Sequence, residues 1–546
     1  RATSVCQTTC IINAVSFGCA DMNARYGKHL LLATEACFCR TQLSSISNNQ
    51  GPQNTNILIR EAQLSANDGN RKTRASEVES LTKQYKNMER LCLSSPTARF
   101  TDREAVFVNK EVHLGEMDVY GFDYDLTLVT YTSALAEFIF RKTSHLLVWK
   151  WKYPRELLNI AFDPNFLIRG LHLDIKEGLI MKVDAFNNIQ ADTVHRGLQP
   201  VPVETVKSVY NGLYIASALL RGDRRTEKHH MTQVMDFFSL PAVYVVCSVI
   251  EHFKKSGINF QPECIYTDVR NAIQIIHQTG LLHEAIMRHP ELYINPNPKL
   301  RSFLDRLCSH GKRLFLISNS GAEFINEGMK FAVGNDWRTL FDVIVVGANK
   351  PDFFRSKTTA FRAVDECGAF RSWEGVSKFE KGQFYLGGNL DLLRQFTKWS
   401  FQRVLFVGDH VYYDLADASN QWGWATAAVI PELETEIEIS NTEVYRFNLR
   451  RLMLLEDLLL NNQLVVTAEG QAVLEDWRKE RDHLRLLTKV CFNEHFGSIF
   501  RSFHNPSYFS QRLGQYASMY TSSVNNLLAL PVDHTCYPRR TPLPHE

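Results

Sequence analysis

The stretch Val-Tyr-Gly-Phe-Asp-Tyr-Asp-Leu-Thr, residues 119–127, places two carboxylates directly after a short apolar run. The run predicts a buried strand, and Asp123 and Asp125 then project from its carboxyl end. Ionised carboxylates are costly in a protein core unless a cation or strong donors accompany them. The pair therefore favours a hard cation such as Mg²⁺, which takes oxygen ligands. One carboxylate can then serve as a nucleophile and the other as a proton donor and acceptor.

Three further apolar runs along the chain also end in polar side chains. These ends carry Ser318 and Asn319 after residues 314–317, Lys350 after residues 345–349, and Asp409 with the nearby Asp414 after residues 404–408. Each alone has a commoner explanation, since serines cap helices, loop lysines are solvated and single acids occupy turns. The Asp-x-Asp triplet alone is also compatible with a solvated turn. Together, the four ends indicate a phosphoryl-transfer site.

The spacing of the apolar runs predicts the fold. Short buried strands that alternate with helical patterns are typical of an α/β protein with a doubly wound parallel sheet, and a further strand is predicted near residues 425–430. Such sheets bind ligands beyond the carboxyl ends of their strands, where all the polar residues named above fall. Nearly two hundred residues separate the first strand from Ser318. This is far more than one crossover needs and predicts an inserted domain.

The predicted domain boundaries follow from this layout. They are a core of residues 104–130 and 300–460, a cap domain of residues 131–299, and a C-terminal helical region of residues 461–546. In the last region, Leu474, Trp477 and Leu484 recur at helical spacing and predict a helix over residues 468–492. This helix would pack on the core or contact a partner subunit, so a homo-oligomer remains open.

Residues 1–100 are predicted to be a mostly flexible extension ahead of the core. Residues 41–76 resemble a polar linker, and a short helix is predicted from about residue 77 to 93. Residues 1–50 are poor in acids, which is compatible with an organellar transit segment. The cysteine pairs Cys6/Cys10 and Cys37/Cys39 have irregular spacing and no accompanying histidine pair. Free thiols are therefore favoured over a zinc site.

Composition constrains partners and location only broadly. The formal net charge of +2 provides no electrostatic argument for binding nucleic acid. No apolar run reaches the length of a membrane span. The chain contains no Asn-x-Ser/Thr sequon, which favours an intracellular protein. We expect a cytoplasmic location, with mitochondria as the alternative, and no nucleic-acid partner.

The four polar strand ends, taken in order, resemble the haloacid dehalogenase-like superfamily. The surrounding sequence is more closely similar to cytosolic purine 5′-nucleotidase and its relatives, the 5′-nucleotidase domain-containing proteins, from about residue 104 to the end. The motifs that carry this similarity include Gly121-Phe122-Asp123, Arg169-Gly170-Leu171, Lys182-Val183-Asp184, Asp268-Val269-Arg270, Lys350-Pro351-Asp352, Gly408-Asp409-His410 and Gly497-Ser498-Ile499. The resemblance implies a haloacid dehalogenase-like core with a large inserted cap, an Mg²⁺ cofactor and a nucleoside monophosphate substrate of the purine type.

The same resemblance implies roles for the two acids of the opening motif. Asp123 would attack phosphorus and form an aspartyl-phosphate. Asp125 would protonate the departing ribose oxygen and then activate the hydrolytic water. Mg²⁺ would be bound by the carboxylates of Asp123 and Asp409 and by the main-chain carbonyl of Asp125.

Further roles are implied for the other strand ends. Ser318, Asn319 and Lys350 would hold the phosphate, and Lys350 would take part in catalysis. Asp414 would orient Lys350 or a metal-bound water.

The inserted domain contains a segment, residues 267–277, that resembles the base-binding helix of the family. Arg270 and His277 match positions that contact the nucleotide. Gln274 stands where the purine nucleotidase has an aspartate, and His283 stands where it has a lysine. An amide reproduces only part of the hydrogen bonding of a carboxylate, so these changes leave purine specificity open. The alternative for Arg270 and His277 is that both are solvated residues on a helix.

The leading hypothesis is therefore a Mg²⁺-dependent 5′-nucleotidase, a phosphoric monoester hydrolase. The alternatives are a catalytically weak scaffold protein with the nucleotidase fold, and a phosphatase for another phosphomonoester.

Overall fold

The computed structural model describes residues 76–93, 100–223, 226–541 and 543. The expectations for residues 1–75 lie outside the described residues, and these include the transit segment, nearly all of the linker and the cysteine pairs. The helix predicted from about residue 77 to 93 is confirmed and spans residues 76–93.

The described chain forms two compact units. The first comprises residues 100–446 and 485–543, apart from the short undescribed gaps, and the second comprises residues 76–93 and 447–484. In the second unit, the rings of Tyr85 and Trp477 stack with centroids 5.7 Å apart, and the Tyr85 hydroxyl donates to Glu480 at 2.6 Å. The helix predicted over residues 468–492 is confirmed as Ala468–Val490.

The elements are numbered in chain order. The described strands are β1 (Phe107–Val108), β2 (Val112–His113), β3 (Val119–Phe122), β4 (Leu171–Asp174), β5 (Leu179–Met181), β6 (His195–Arg196), β7 (Gln199–Pro200), β8 (Met231–Val234), β9 (Arg313–Ile317), β10 (Val343–Val346), β11 (Phe361–Val364), β12 (Phe384–Gly387), β13 (Val404–Gly408), β14 (Ala425–Val429), β15 (Arg501–Ser502), β16 (Asn505–Pro506), β17 (Met519–Thr521) and β18 (Thr535–Cys536). The described α-helices are α1 (76–93), α2 (Ser133–Lys150), α3 (Val203–Tyr210), α4 (Ser217–Leu220), α5 (Ser239–Lys255), α6 (Pro262–Gln278), α7 (Leu281–Arg288), α8 (Pro290–Tyr293), α9 (Leu300–Ser309), α10 (Ala322–Ala332), α11 (Asp352–Arg355), α12 (Leu390–Thr397), α13 (Asp417–Asn420), α14 (Glu432–Asn441), α15 (Glu443–Asn461), α16 (Ala468–Val490) and α17 (Tyr508–Tyr516).

The main sheet lies in the first unit. In the described residues it has nine strands in the order β1-β17-β14-β13-β3-β9-β10-β12-β11. The strands from β17 to β12 in this order run parallel, and β1 and β11 pair antiparallel at the two edges. The residues of β3, β10 and β13 are all buried, as expected for parallel strands that are covered on both faces. The predicted doubly wound α/β core is confirmed.

Close packing at the centre of the sheet explains the glycine in the opening motif. A Cβ atom on Gly121 of β3 would lie 2.1 Å from the ring of Phe315 on β9. The Phe315 ring therefore needs the space above this glycine. The apolar run of β3 is fixed between β13 and β9, and its acidic end is fixed with it.

A large insertion separates β3 from β9, as predicted. It contains an antiparallel sheet in the order β7-β6-β5-β4-β8 and the long helices α2, α5 and α6. The chain leaves and re-enters the core side by side, because the Thr132 amide donates to the Tyr293 carbonyl and the Asn295 amide donates to the Thr130 carbonyl, each at 2.9 Å. These paired segments form the base of the cap.

The C-terminal region is more than the helical region that we predicted for residues 461–546. It contains α16 and α17, but β17 enters the main sheet between β1 and β14. The prediction missed β17 because a strand of three residues is too short to show a two-residue period.

Among the described residues, none of the helices is both long enough and apolar enough to cross a membrane.

Candidate active site

The structure brings the predicted acids and the predicted lysine to one edge of the sheet. Asp123 follows β3, Asp409 follows β13 and Lys350 comes from the loop after β10. Asp123, Asp409 and Asp414 are buried, and each places a carboxylate oxygen within 4.8 Å of the others. Because parallel strands carry their carboxyl ends to the same edge, separate motifs of the sequence meet in one site.

Lys350 joins two of these acids. Its Nζ lies 2.7 Å from Asp123 Oδ1 and 2.6 Å from Asp414 Oδ1, and the side chain is almost fully buried. Burial alone would lower the pKa of Lys350, but the two carboxylates outweigh it and the net shift is upward. The lysine is therefore charged at neutral pH and is directed at the acid pair.

The Asn319 side chain positions the lysine rather than pointing freely into the site. Its Oδ1 accepts a hydrogen bond from the Lys350 amide at 2.6 Å, and its Nδ2 donates to the Lys350 carbonyl at 3.2 Å. The second hydrogen of Nδ2 and the main-chain amide remain for the phosphate-binding role that we predicted for Asn319.

Ser318 is fully buried and directly precedes Asn319. Its Oγ accepts a hydrogen bond from the Ser320 amide at 3.1 Å. Helix α10 begins directly after Gly321, which occupies its N-cap position and makes no side-chain capping bond. The alternative that Ser318 or Ser320 caps this helix is therefore wrong.

Asp125 lies in a different environment from Asp123. Tyr131 donates its hydroxyl proton to Asp125 Oδ1 at 2.5 Å, and Ser320 donates to Oδ2 at 2.7 Å. Both carboxylate oxygens are thus held by neutral hydroxyls instead of by the lysine. The two acids of the opening motif are chemically distinct, as different roles would require. Neither Tyr131 nor Ser320 was among the predicted site residues.

The buried carboxylates of Asp123, Asp409 and Asp414 are suited to bind a cation. Burial raises the pKa of Asp123 to about 8, with Asp414 and Asp125 adding to the shift and Lys350 opposing it. Burial, followed by the repulsion from Asp414, also raises the pKa of Asp409 well above its usual range. A cluster of buried carboxylates of this kind offers the oxygen ligands that Mg²⁺ takes, and a divalent ion would offset their mutual repulsion.

Arg169 is a further charged residue at this site that the sequence-based prediction did not assign. It lies just before β4 in the inserted segment and is buried. Its Nη1 is 3.6 Å from Asp409 Oδ2, and its Nε and Nη2 each donate to Glu432 at 2.6 Å. Arg169-Gly170-Leu171 was among the motifs that carried the family resemblance, but no role was assigned to the arginine, because a motif match alone does not show which side chains reach the site.

The cap residues that were predicted to contact the nucleotide, Arg270 and His277, both lie on α6, and His283 lies on α7. Burial, with help from His283, lowers the pKa of His277 to about 4, and burial also lowers the pKa of His283. Both imidazoles are therefore neutral at physiological pH. His283 packs against Phe324 of α10, with ring centroids 4.5 Å apart. Arg270 is half-buried and makes no hydrogen bond or ion pair with the described residues.

Comparison with known proteins gives this arrangement a family. The model of the 5′ nucleotidase family matches residues 106–546. The chain belongs to this family. It is 43% identical over 466 residues to 5′-nucleotidase domain-containing protein 2 of Rattus norvegicus, a match covering 85% of this chain and 84% of the relative. The Homo sapiens protein of the same name is 44% identical over 442 residues, covering 81% and 85%.

Among solved structures, the chain is similar to a predicted phosphoglycolate phosphatase from Haemophilus somnus, with 12% identity and a TM-score of 0.24 over 57% of this chain and 85% of that one. This similarity is too low to carry an argument. Membership of the 5′-nucleotidase family, by contrast, supports the prediction that the protein is a phosphoric monoester hydrolase, and it confirms the resemblance on which that prediction was based.

Proposed function

We propose that the protein is a Mg²⁺-dependent 5′-nucleotidase that hydrolyses nucleoside monophosphates through an aspartyl-phosphate on Asp123. The observation that carries this proposal is the buried contact of Lys350 with both Asp123 and Asp414. A buried lysine between two acids, at the carboxyl edge of a parallel sheet, is suited to receive the negative charge of a phosphate.

Asp123 is the proposed nucleophile. Its Oδ1 is occupied, because it accepts a hydrogen bond from the Tyr124 amide at 2.7 Å and lies at the same distance from the Lys350 ammonium. This leaves Oδ2 to attack phosphorus. Lys350 favours the ionised form of the nucleophile and so opposes the effect of burial, since a nearby cation stabilises the charged form of a carboxyl group.

Asp125 is the proposed proton donor and acceptor. The hydroxyls of Tyr131 and Ser320 fix both of its oxygens, so its orientation is set before the substrate arrives. Asp125 would donate a proton to the departing ribose oxygen and take one from the water that hydrolyses the aspartyl-phosphate.

The residues present fit an Mg²⁺ ion. Asp123 and Asp409 would hold it with their carboxylates and Asp125 with its main-chain carbonyl, while Asp414 keeps Lys350 in place. When bound, the ion neutralises charge that develops on the phosphate oxygens. Ser318 and the amides at the start of α10 would bind the remaining oxygens, as helix N-termini commonly do.

The base would be recognised from the cap. Arg270 and His277 are the proposed contacts, and the neutral state of His277 lets it stack on a base or donate one hydrogen bond to it. A preference for purine nucleotides is what the family resemblance implies. Gln274 and His283 are the positions at which the base preference of this protein would depart from that of the purine nucleotidase.

The test is phosphate release from a panel of purine and pyrimidine nucleoside monophosphates and sugar phosphates, with Mg²⁺ and with chelator. Asp123→Asn serves as the control. We expect release from at least one nucleotide, dependence on Mg²⁺, and none from the variant. If the wild type and Asp123→Asn are equally inactive on every compound, the proposal fails and a scaffold function is favoured.

A further inference from the structure

Arg169 connects the inserted domain to the acidic site of the core. It precedes β4 of the cap and is only 2% exposed. Its Nε donates to Glu432 Oε1 and its Nη2 to Oε2, both at 2.6 Å. Glu432 is the first residue of α14, which follows β14 of the main sheet. Two parallel bonds of this kind fix the plane of the guanidinium as well as its position.

The remaining nitrogen of this guanidinium faces the acids. Nη1 is buried and makes no hydrogen bond with the described residues, and it lies 3.6 Å from Asp409 Oδ2. Buried donors are nearly always paired, so an unpaired one that faces a carboxylate calls for an explanation. The carboxylate that this nitrogen faces is that of Asp409.

The local chain holds Arg169 in this direction. Gly170 has a φ of +88°, and a Cβ atom there would lie 2.7 Å from the Cβ of Phe509 on α17. The Arg169 guanidinium also lies over the Phe509 ring, 5.8 Å from its centroid. The backbone turn that aims Arg169 at Asp409 therefore needs glycine at position 170.

We propose that Arg169, anchored by Glu432, is a positioning residue that orients the Asp409 carboxylate for binding a divalent cation. This inference rests on the proposed function, because Arg169 would orient a ligand of the same metal site without binding the metal itself. Outer partners that orient a metal ligand typically contribute about tenfold to a hundredfold in affinity. Because the cap supplies the arginine and the core supplies the ligand, the cap takes part in building the metal site.

The planar arrangement of the guanidinium nitrogens matters here as well as the positive charge of Arg169. A lysine at position 169 would supply a positive charge, but its single ammonium cannot hold both oxygens of Glu432 and also face Asp409 in a fixed plane. Arg169→Lys therefore separates orientation of Asp409 from simple charge compensation.

The experiment measures Mn²⁺ binding to the purified full chain by isothermal titration calorimetry, with electron paramagnetic resonance of free Mn²⁺ as a second readout. The variants are Arg169→Met, Arg169→Lys and Glu432→Gln, and Asp409→Asn marks the loss of a direct ligand. The matched controls are Arg103→Met and Glu438→Gln, which break an exposed ion pair of 2.6 Å between Arg103, ahead of β1, and Glu438 of the same helix α14. Circular dichroism establishes that each variant is folded.

We expect the Kd for Mn²⁺ to rise about tenfold or more in Arg169→Met and Arg169→Lys, and less in Glu432→Gln, which retains one good acceptor. The controls should stay within about twofold of the wild type. If Arg169→Met does not fold, Arg169→Lys and Glu432→Gln decide the question. A wild-type Kd in either arginine variant overturns the positioning role. Absence of Mn²⁺ binding by the wild type overturns the metal-dependent function itself, together with this inference.

Discussion

Replacing Lys350 with methionine should destabilise the folded protein, because the change leaves two buried carboxylates without their cation. The lysine is 3% exposed and lies within 2.7 Å of Asp123 and 2.6 Å of Asp414. Removing one partner of a buried ion pair typically costs about 3–5 kcal/mol. Methionine retains the apolar stem, so little of this loss should come from packing. We therefore expect the free energy of unfolding to fall by about 4 kcal/mol at pH 8 in the presence of chelator.

The sign of the pH dependence follows from the acids. The pKa of Asp123 is already raised to about 8 with the lysine present, and the lysine opposes that rise. A carboxyl group with a folded pKa above its unfolded value loses stability as pH rises from about 4 through the folded pKa. Without Lys350, folded Asp123 holds its proton to still higher pH. The difference between wild type and variant should thus stay nearly constant from pH 5 to 7 and grow as pH rises through about 8, so that it is largest at pH 9.

The assay is urea unfolding followed by circular dichroism at pH 5, 7 and 9. Lys299→Met is the control, since it removes only an exposed lysine that is 3.5 Å from Glu104, and it should change the free energy by less than about 0.5 kcal/mol. A Lys350→Met variant that loses less than about 1 kcal/mol at pH 9, or a difference that shrinks as pH rises, would refute the reasoning.

Three further predictions test the surroundings of the site. Tyr131→Phe removes a hydrogen bond to the Asp125 carboxylate that is worth about 1.5 kcal/mol. It should therefore lower kcat about tenfold and leave KM unchanged, and an unchanged kcat would contradict this role for Tyr131. Lys182 Nζ donates to three main-chain carbonyls within residues 496–501, so Lys182→Met should lower the free energy of unfolding by about 3 kcal/mol. An unchanged free energy of unfolding in a denaturant titration would contradict this prediction. Burial lowers the pKa of His172 to about 3, so its contribution to stability is lost as pH falls below about 6.5. Between pH 7 and 4.5 the wild type should lose about 2.5 kcal/mol more than His172→Leu, and parallel stability curves for the two proteins would exclude this.

The sequence supported the prediction of the sheet and of its acidic edge because both leave local signals. Each central strand is a continuous apolar run, and each run ends in the polar residue that reaches the site, as at Asp123 and Asp409. Parallel topology then brings separate strand ends together without further information. The confirmed core and the cluster around Lys350 follow from these rules.

The other parts of the site depend on contacts that no local pattern encodes. The bond from Tyr131 to Asp125 and the turn of the Asn319 amide toward Lys350 exist only once loops are packed. Arg169 reaches Asp409 from the inserted domain, far away in sequence, and its partner Glu432 is further still. The three-residue strand β17 carries too few positions to reveal a period.

The most direct test of the central claim is chemical trapping of the phosphorylated enzyme. The best nucleotide of the panel is supplied with ³²P in its phosphate, the reaction is quenched in acid, and the labelled peptide is sequenced. Asp125→Asn is included because Asp125 acts in both steps, and the trapped fraction should increase where hydrolysis is slowed more than formation. We predict hydroxylamine-labile label on Asp123 and none in Asp123→Asn. Phosphate release by Asp123→Asn at the wild-type rate, or turnover with no label in either the wild type or Asp125→Asn, would contradict the account.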